Sequence, residues 1–306
     1  MQNSPIITVV GGSGFLGRHL VKLLAAQGFR VNVLCRDTVA ASFLKTSGTV
    51  GQIVLQHADL TRPETLSGKL AGSYAVINLV SILYQSGRQK FHRINVEGAH
   101  ALAEEATRAG AQRFIHISAL AVERATHTRY GSTKLAGEQM VREAFPAATI
   151  LRPSLIIGPE DRFFQRFARM AQLAPALPLV GGGHTLFQPV LVEDVAKAIL
   201  AALDKPSATF ELAGPETYSF KQLLALMNRV TNKHTRLAYL PVPLAYLMGT
   251  ACELLPFPPA ITRDQVRMLD TDNVKNPESS GFETLGITPV TIESVLPSLL
   301  ARFVKA

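Results

Sequence analysis

Three glycines spaced three residues apart narrow what this chain can fold into more than any other feature. They lie in residues 7–37, ITVVGGSGFLGRHLVKLLAAQGFRVNVLCRD, between an apolar run and an amphipathic one. Gly11, Gly14 and Gly17 make a G-x-x-G-x-x-G turn, and Gly12, Gly14 and Gly17 also satisfy G-x-G-x-x-G. Such a turn lets the backbone pass tightly from strand to helix and points the free N–H groups of the helix start at an anion. Apolar residues at 16, 20, 23 and 24 give the helix one buried face, and Gly28 supplies its stop. The setting predicts a dinucleotide pyrophosphate at the turn. A phosphate-binding P-loop is the nearest rival, because Gly12 and Gly17 have its separation. Arg18 and His19 stand where that motif needs Lys and then Ser or Thr, so no group is left to hold magnesium and an NTPase is excluded.

The rest of the first half repeats the strand–helix alternation. Ile6–Val10, Arg30–Arg36, Ile53–His57, Ala75–Val80, Phe114–Ser118 and Thr149–Ile157 read as strands, with amphipathic stretches at Leu16–Ala26, Ile94–Ala109 and Leu135–Ala144. This predicts an α/β fold, a Rossmann-type doubly wound parallel sheet with a smaller C-terminal α/β domain. Residues 1–157 form the expected NAD(P)-binding domain. Residues 158–306 form a smaller substrate or partner domain, from which 186–203 returns to the main body as a strand and helix. There is no internal repeat.

The end of the second strand bears on the choice of cofactor. An acidic residue there hydrogen-bonds the ribose of NAD, whereas Arg can bind a 2′-phosphate. Arg36 comes first and Asp37 follows, with Arg18 available from the helix, which favours NADPH over NADH; the alternative is that Arg36 is a solvated loop residue. Charge agrees in sign. Of the net +8, all the excess lies in residues 1–155, with 17 Lys and Arg against 9 Asp and Glu. A basic surface attracts a phosphate-rich cofactor, an acidic protein or an anionic membrane. Nucleic acid is not expected, for no basic-aromatic strip supports it. Cys35 and Cys252 are too few and too far apart for a disulfide framework or a metal site. With no signal-like N-terminus, they point to a reducing compartment, the cytoplasm or an organelle reached by a matured chain.

Further motifs carry a resemblance. GGSGFLG is followed by Asp59-Leu60 after the third strand, Asn78 in VINLVS, Asn95, Ser118 in FIHISAL, Tyr130 and Lys134 in YGSTK, and Pro153 in LRPSLIIGP. As a set these resemble the short-chain dehydrogenase/reductase superfamily in its extended and atypical branches. The resemblance implies a cofactor held by Gly11, Gly14, Phe15, Leu16, Gly17, Arg18, Arg36, Asp59, Leu60, Asn78, Tyr130, Lys134 and Pro153. It implies Ser118, Tyr130 and Lys134 as the catalytic set if the protein turns over a substrate. Residues 130 and 134 share a helical face, so the ammonium is expected to depress the phenol's pKa. Ser118 precedes Tyr130 by only 12 residues, a shorter interval than is usual in extended members.

Three longer runs narrow the resemblance: SGRQKFHRINVEGAHALAEEA at 86–106, the block 156–199 containing GPEDRFFQRFA, and PFPPAITRDQVRMLDTDNV at 256–274. They resemble the nucleotide-binding accessory subunit of respiratory complex I (NADH:ubiquinone oxidoreductase) and its bacterial relatives. That implies tightly held NADPH and complex I subunits as partners. It also implies a role in assembly or stability near the membrane junction, outside the electron-transfer chain. The expected place is the cytoplasmic face of the bacterial inner membrane, or the mitochondrial matrix side, with peripheral membrane contact. The alternatives are an NADP-dependent short-chain reductase or epimerase acting on a sugar nucleotide or other small carbonyl substrate, and an NmrA-like redox-sensing regulator.

Residues 237–252, LAYLPVPLAYLMGTAC, form a run without a charge, too short and too interrupted by Pro241 and Pro243 to span a membrane. Glu253 and Pro256 close it. Leu244, Leu247, Met248, Ala251 and Leu255 read as core of the small domain, with a docking surface for a subunit or lipid as the alternative. The eight histidines have no metal-ligand spacing, and no metal is expected.

Overall fold

The computed structural model describes residues 4–255 and 257–304; Met1–Asn3, Lys305, Ala306 and the stop expected at Pro256 lie outside the described residues. Seven parallel strands form the central sheet: β1 (Ile6–Val10), β2 (Arg30–Cys35), β3 (Ile53–His57), β4 (Ser73–Asn78), β5 (Arg113–Ile117), β6 (Ala148–Pro153) and β7 (Thr209–Leu212). Their spatial order is β7-β6-β5-β4-β1-β2-β3. The winding therefore reverses between β1 and β4, which opens a crevice beyond the carboxyl ends of those strands.

Period-two alternation sends side chains to opposite faces of the sheet. Ile7, Val9, Val31, Val33 and Ile77 join a cluster with helices α1 (Phe15–Ala26) and, from much later in the chain, Val192–Ala202. Val10, Leu34, Val76, Phe114 and Ile150 face the other way. They pack on α2 (Ala99–Arg108) and α3 (Arg129–Ala144). Both faces are thus covered by helices, as a parallel sheet requires. A third cluster joins Phe164–Leu173, Phe220–Val230 and Ile292–Leu300 around Leu177 and Leu179.

Several element ends differ from expectation, each for a local reason. The strand expected over 149–157 stops at Pro153, and Ile156–Ile157 instead pairs with Val190–Leu191. Proline has no N–H to continue a ladder. The strand expected over 75–80 runs Ser73–Asn78, where the Asn78 side-chain oxygen accepts the Val80 N–H at 3.1 Å. The helix expected from 94 opens with one π-helical turn, Arg93–Gly98. The helix expected from Leu135 begins six residues earlier, at Arg129, because Thr128 Oγ1 caps the Gly131 N–H at 2.9 Å.

The core reading of the 237–252 region is overturned. Helix α4 (Val242–Leu254) buries only Ala245 and Gly249. Leu244, Leu247, Met248 and Leu255 are 47%, 64%, 44% and 58% exposed, and Ala251 is exposed too. The reason is the small-residue contact with α5 (Arg263–Met268): a Cβ on Gly249 would lie 2.8 Å from the Arg263 nitrogen. Close approach along that line turns the flanking leucines outward.

One ion network crosses the sheet edge. The Arg152 guanidinium of β6 donates to both Glu138 oxygens, at 3.0 and 2.7 Å, and to Glu123 at 2.7 Å; Glu211 of β7 lies 3.8 Å away. Burial opposes the guanidinium charge, but Glu138 and Glu123 outweigh it and raise the Arg152 pKa. Arg152→Leu strands Glu138, whose side chain is only 4% exposed. The expected loss is about 3–5 kcal/mol, read from urea unfolding; a loss below about 1 kcal/mol would contradict the network's role.

Candidate functional site

The glycine turn is built by backbone-on-backbone contact. Gly11 has φ +84° and donates its N–H to the Leu34 carbonyl at 2.9 Å. The Gly14 N–H reaches the Gly11 carbonyl at 3.0 Å. A Cβ on Gly17 would lie 2.5 Å from both the Gly11 oxygen and the Gly12 Cα, so only glycine lets α1 start here. No side chain caps that start and no acidic residue occupies its first turn. The first N–H groups and the positive end of the helix dipole are left for an external anion. Leu16 is buried beneath the turn, and the Phe15 ring packs where a Gly158 Cβ would lie, 3.0 Å away.

Around this turn the carboxyl ends of six strands bring the expected cofactor residues to one edge of the sheet. Arg36 is exposed at the end of β2, and its side chain makes no hydrogen bond or ion pair among the described residues. Asp37 is committed elsewhere, its carboxylate accepting the Ala40 N–H at 2.8 Å. Arg18 leans over the Phe43 ring at 4.9 Å and reaches Glu160 at 3.3 Å, while its Nε is buried without a partner. Asp59 accepts the Thr61 N–H at 2.9 Å, and Leu60 is covered by Gly98, whose added Cβ would come within 2.8 Å. The Pro153 carbonyl takes the Leu120 N–H at 2.9 Å.

A second group lies behind β5. Lys134 is fully buried and donates from Nζ to the Ile117 carbonyl at 2.6 Å. Burial brings its pKa down to about 8, against some support from Glu138 one turn on. His116 is held by Asn78 at 3.1 Å; burial, with Lys134 beside it, keeps it well below the ordinary imidazole value and therefore neutral. Tyr130 is half-buried, and its phenol pKa is raised by burial, with Ser81 as a hydrogen-bonding neighbour that offsets this in part. The expected depression of the phenol by Lys134 is not met: burial outweighs the one lowering contact, the hydrogen bond with Ser81. Three buried polar atoms lack partners in this region: Asn95 Oδ1, His116 Nε2 and Ser118 Oγ. Together with the uncapped helix start and the glycine cradle, they fit a bound dinucleotide.

Two contributors were hidden from sequence reasoning. Asp264 of α5 accepts the N–H groups of Arg129 and Tyr130 at 2.7 and 2.9 Å, fixing the start of the helix that carries Tyr130 and Lys134. Its signal was ITRDQV, in which Thr262 and Gln265 form a reciprocal cap that aims residue 264. Glu160 pairs with Arg18 and with His19 at 3.0 Å; burial raises its carboxyl, but these partners bring it below the usual range. Among the described residues no group of three His, Cys, Asp or Glu side chains is placed to hold a metal ion. A cavity of about 460 Å³ beside Arg30, Gly72 and Gln112 lies at the opposite ends of the strands.

The fold and this edge define a nicotinamide-dinucleotide-binding protein. The chain belongs to the NAD dependent epimerase/dehydratase family, whose pattern matches residues 7–218. Within it the chain is similar to the Arabidopsis thaliana mitochondrial NADH dehydrogenase [ubiquinone] 1 alpha subcomplex subunit 9. The two are 33% identical over 98% of this chain and 78% of the relative. It is also similar to the ceramide reductase of Caulobacter vibrioides, at 32% identity over 78% of this chain and 74% of that one. Its fold is that of the Bacillus cereus UDP-glucuronic acid 4-epimerase solved with UDP-glucuronic acid and NAD (TM-score 0.72, 17% identity, 97% of this chain and 98% of the other).

Lys134 gives the site a pH signature. The unfolded side chain titrates at 10.5 and the folded one at about 8. Below pH 8 both are charged, and the folded chain carries the full cost of the buried ammonium. Between 8 and 10.5 the unfolded chain binds more protons, so this group's contribution to stability rises with pH by about 3 kcal/mol. Comparing unfolding curves of the wild type and Lys134→Met isolates it from Cys35 and Tyr130, which titrate nearby. The stability difference between them should climb across that window; a flat difference would contradict a charged, buried Lys134.

Proposed function

We propose that this chain is an NADPH-binding accessory subunit of respiratory complex I, contributing to assembly or stability near the membrane junction without entering electron transfer. One observation carries the reading: the likeness to a complex I subunit runs along 98% of the chain. It extends past the nucleotide-binding half into the segments that form α4 and α5. Lys134 gives one of its three Nζ protons to the Ile117 carbonyl and keeps two for a bound ribose, so holding a dinucleotide is enough to account for it. The exposed leucines of α4 supply an apolar face of the kind subunit contacts use. Peripheral attachment, to the cytoplasmic face of a bacterial inner membrane or the matrix side of a mitochondrial one, follows as part of the proposal. No helix among the described residues is long and apolar enough to cross a membrane.

The second reading, a reductase with Tyr130 as acid and Ser118 steadying the reacting oxygen, is favoured by the ceramide reductase likeness and by the unpartnered Ser118 hydroxyl. Native-gel separation of gently solubilised membranes decides between them. Stoichiometric migration of the chain with NADH dehydrogenase activity supports the accessory subunit, and a position wholly apart from that band removes it.

NADPH in place of NADH rests on Arg36, left without a partner, and on Asp37, whose carboxylate is taken. Arg36→Ala should weaken NADPH by about tenfold or more while changing NADH little. Equal weakening of both in a calorimetric titration would remove the 2′-phosphate contact.

A further inference from the structure

Beside the start of α3 lies a cleft of about 500 Å³. One wall is the loop carrying Tyr84, Lys90 and Phe91; the other is formed by α4, α5 and, between them, Leu255 and residues 257–259. Phe91 meets the Tyr130 ring edge-on at 5.9 Å, so the cleft abuts the candidate site.

The charges of this cleft do not balance. Its lining carries Lys90, Arg129, Arg263 and Arg267 against Glu253 and Asp264, a net charge of +2; Glu253 holds Arg263 at 2.7 Å, and the Asp264 oxygens are occupied by the two N–H groups that open α3. Three cations on the lining, Lys90, Arg129 and Arg267, have no carboxylate partner among the described residues. Arg267 is instead stacked over the Tyr246 ring at 5.3 Å and donates to its hydroxyl at 3.1 Å, which holds the guanidinium in place. The lip of the same cleft is apolar and solvent-facing, with Leu255 58% and Phe257 72% exposed. It runs on to the outer face of α4, where Leu247 is 64% exposed.

A small hydrated anion would satisfy the cations and leave the lip bare. A neutral apolar ligand would cover the lip and leave three cations facing it. We propose that this cleft binds an anionic amphiphile with a phosphate head and a hydrocarbon tail. The head lies on Lys90, Arg129 and Arg267, where charge-assisted hydrogen bonds are strongest. The tail lies on Leu255, Phe257 and the α4 face, removing that surface from water. The head alone could come from a free phosphate ester or from a lipid, and the tail separates the two sources. The assignment does not depend on the nucleotide site being filled.

The test is isothermal titration of the full chain with a lysophosphatidic acid below its micellar concentration. Glycerol 3-phosphate supplies the head alone, and a lysophosphatidylcholine supplies the tail with no net charge. Saturable binding of the lysophosphatidic acid is expected, with both comparison ligands weaker by about tenfold or more. Lys90→Glu should lower affinity by about the same factor; Lys90 is exposed and unpaired, so the variant should fold, and Arg267→Gln gives a second reading. Equal binding of glycerol 3-phosphate or of lysophosphatidylcholine would overturn the proposal, as would unchanged affinity in both variants. Sedimentation with anionic vesicles without binding of the single lipid would assign the face to a bilayer surface and overturn the cleft ligand as well.

Discussion

The contact on which the molecule turns is the one between Gly17 and the backbone of Gly11 and Gly12. With no side chain at 17, α1 begins directly over the end of β1, and its first N–H groups face outward unopposed. That placement also carries Arg18 and His19 to Glu160, and Phe15 to Gly158. The segment following β6 is thereby clamped to the first helix. The helix Val192–Ala202 then packs against α1 within the same cluster. The nucleotide turn and a distant part of the chain are one packing unit, so a change at the turn is felt in both.

A second constraint is the line of buried charge from Lys134 through Glu138 to Arg152 and Glu211. Removing charges from water is costly, and such groups are held only where partners are well placed. Here they fix α3 against β6 and β7 from below, while Asp264 fixes its first turn from above. Tyr130 and Lys134 sit on a helix restrained at both ends, in a setting that keeps the phenol protonated and the ammonium on a carbonyl. A rigid, partly dehydrated pocket suits a ligand that stays, in line with the proposed accessory role.

Six strands of the sheet were legible because their information is local, in apolar runs of strand length and glycines at turn positions; the stop of β6 at Pro153 was overrun and β7, the short edge strand Thr209–Leu212, was not read. The candidate cofactor residues could be named from motifs, and their gathering at one edge follows from parallel strands sharing one direction. What could not be read depended on partners far away in the chain. The early start of α3 depends in part on Asp264, more than a hundred residues later. The exposure of Leu247 and Leu255 follows from Gly249 meeting the start of α5, a contact that composition does not encode; an uncharged run is equally compatible with core and with surface. The Lys134–Tyr130 spacing gave the shared helical face correctly. It could not give the direction of the ammonium, which is set by the Ile117 carbonyl.

The central claim is that this chain holds NADPH as a resident ligand. The most direct measurement is to purify it from its native source without added nucleotide, denature it, and identify what is released by mass spectrometry. The account predicts NADP(H) in near-stoichiometric amount with the chain. Release of NAD(H) instead, or of no dinucleotide, would contradict it.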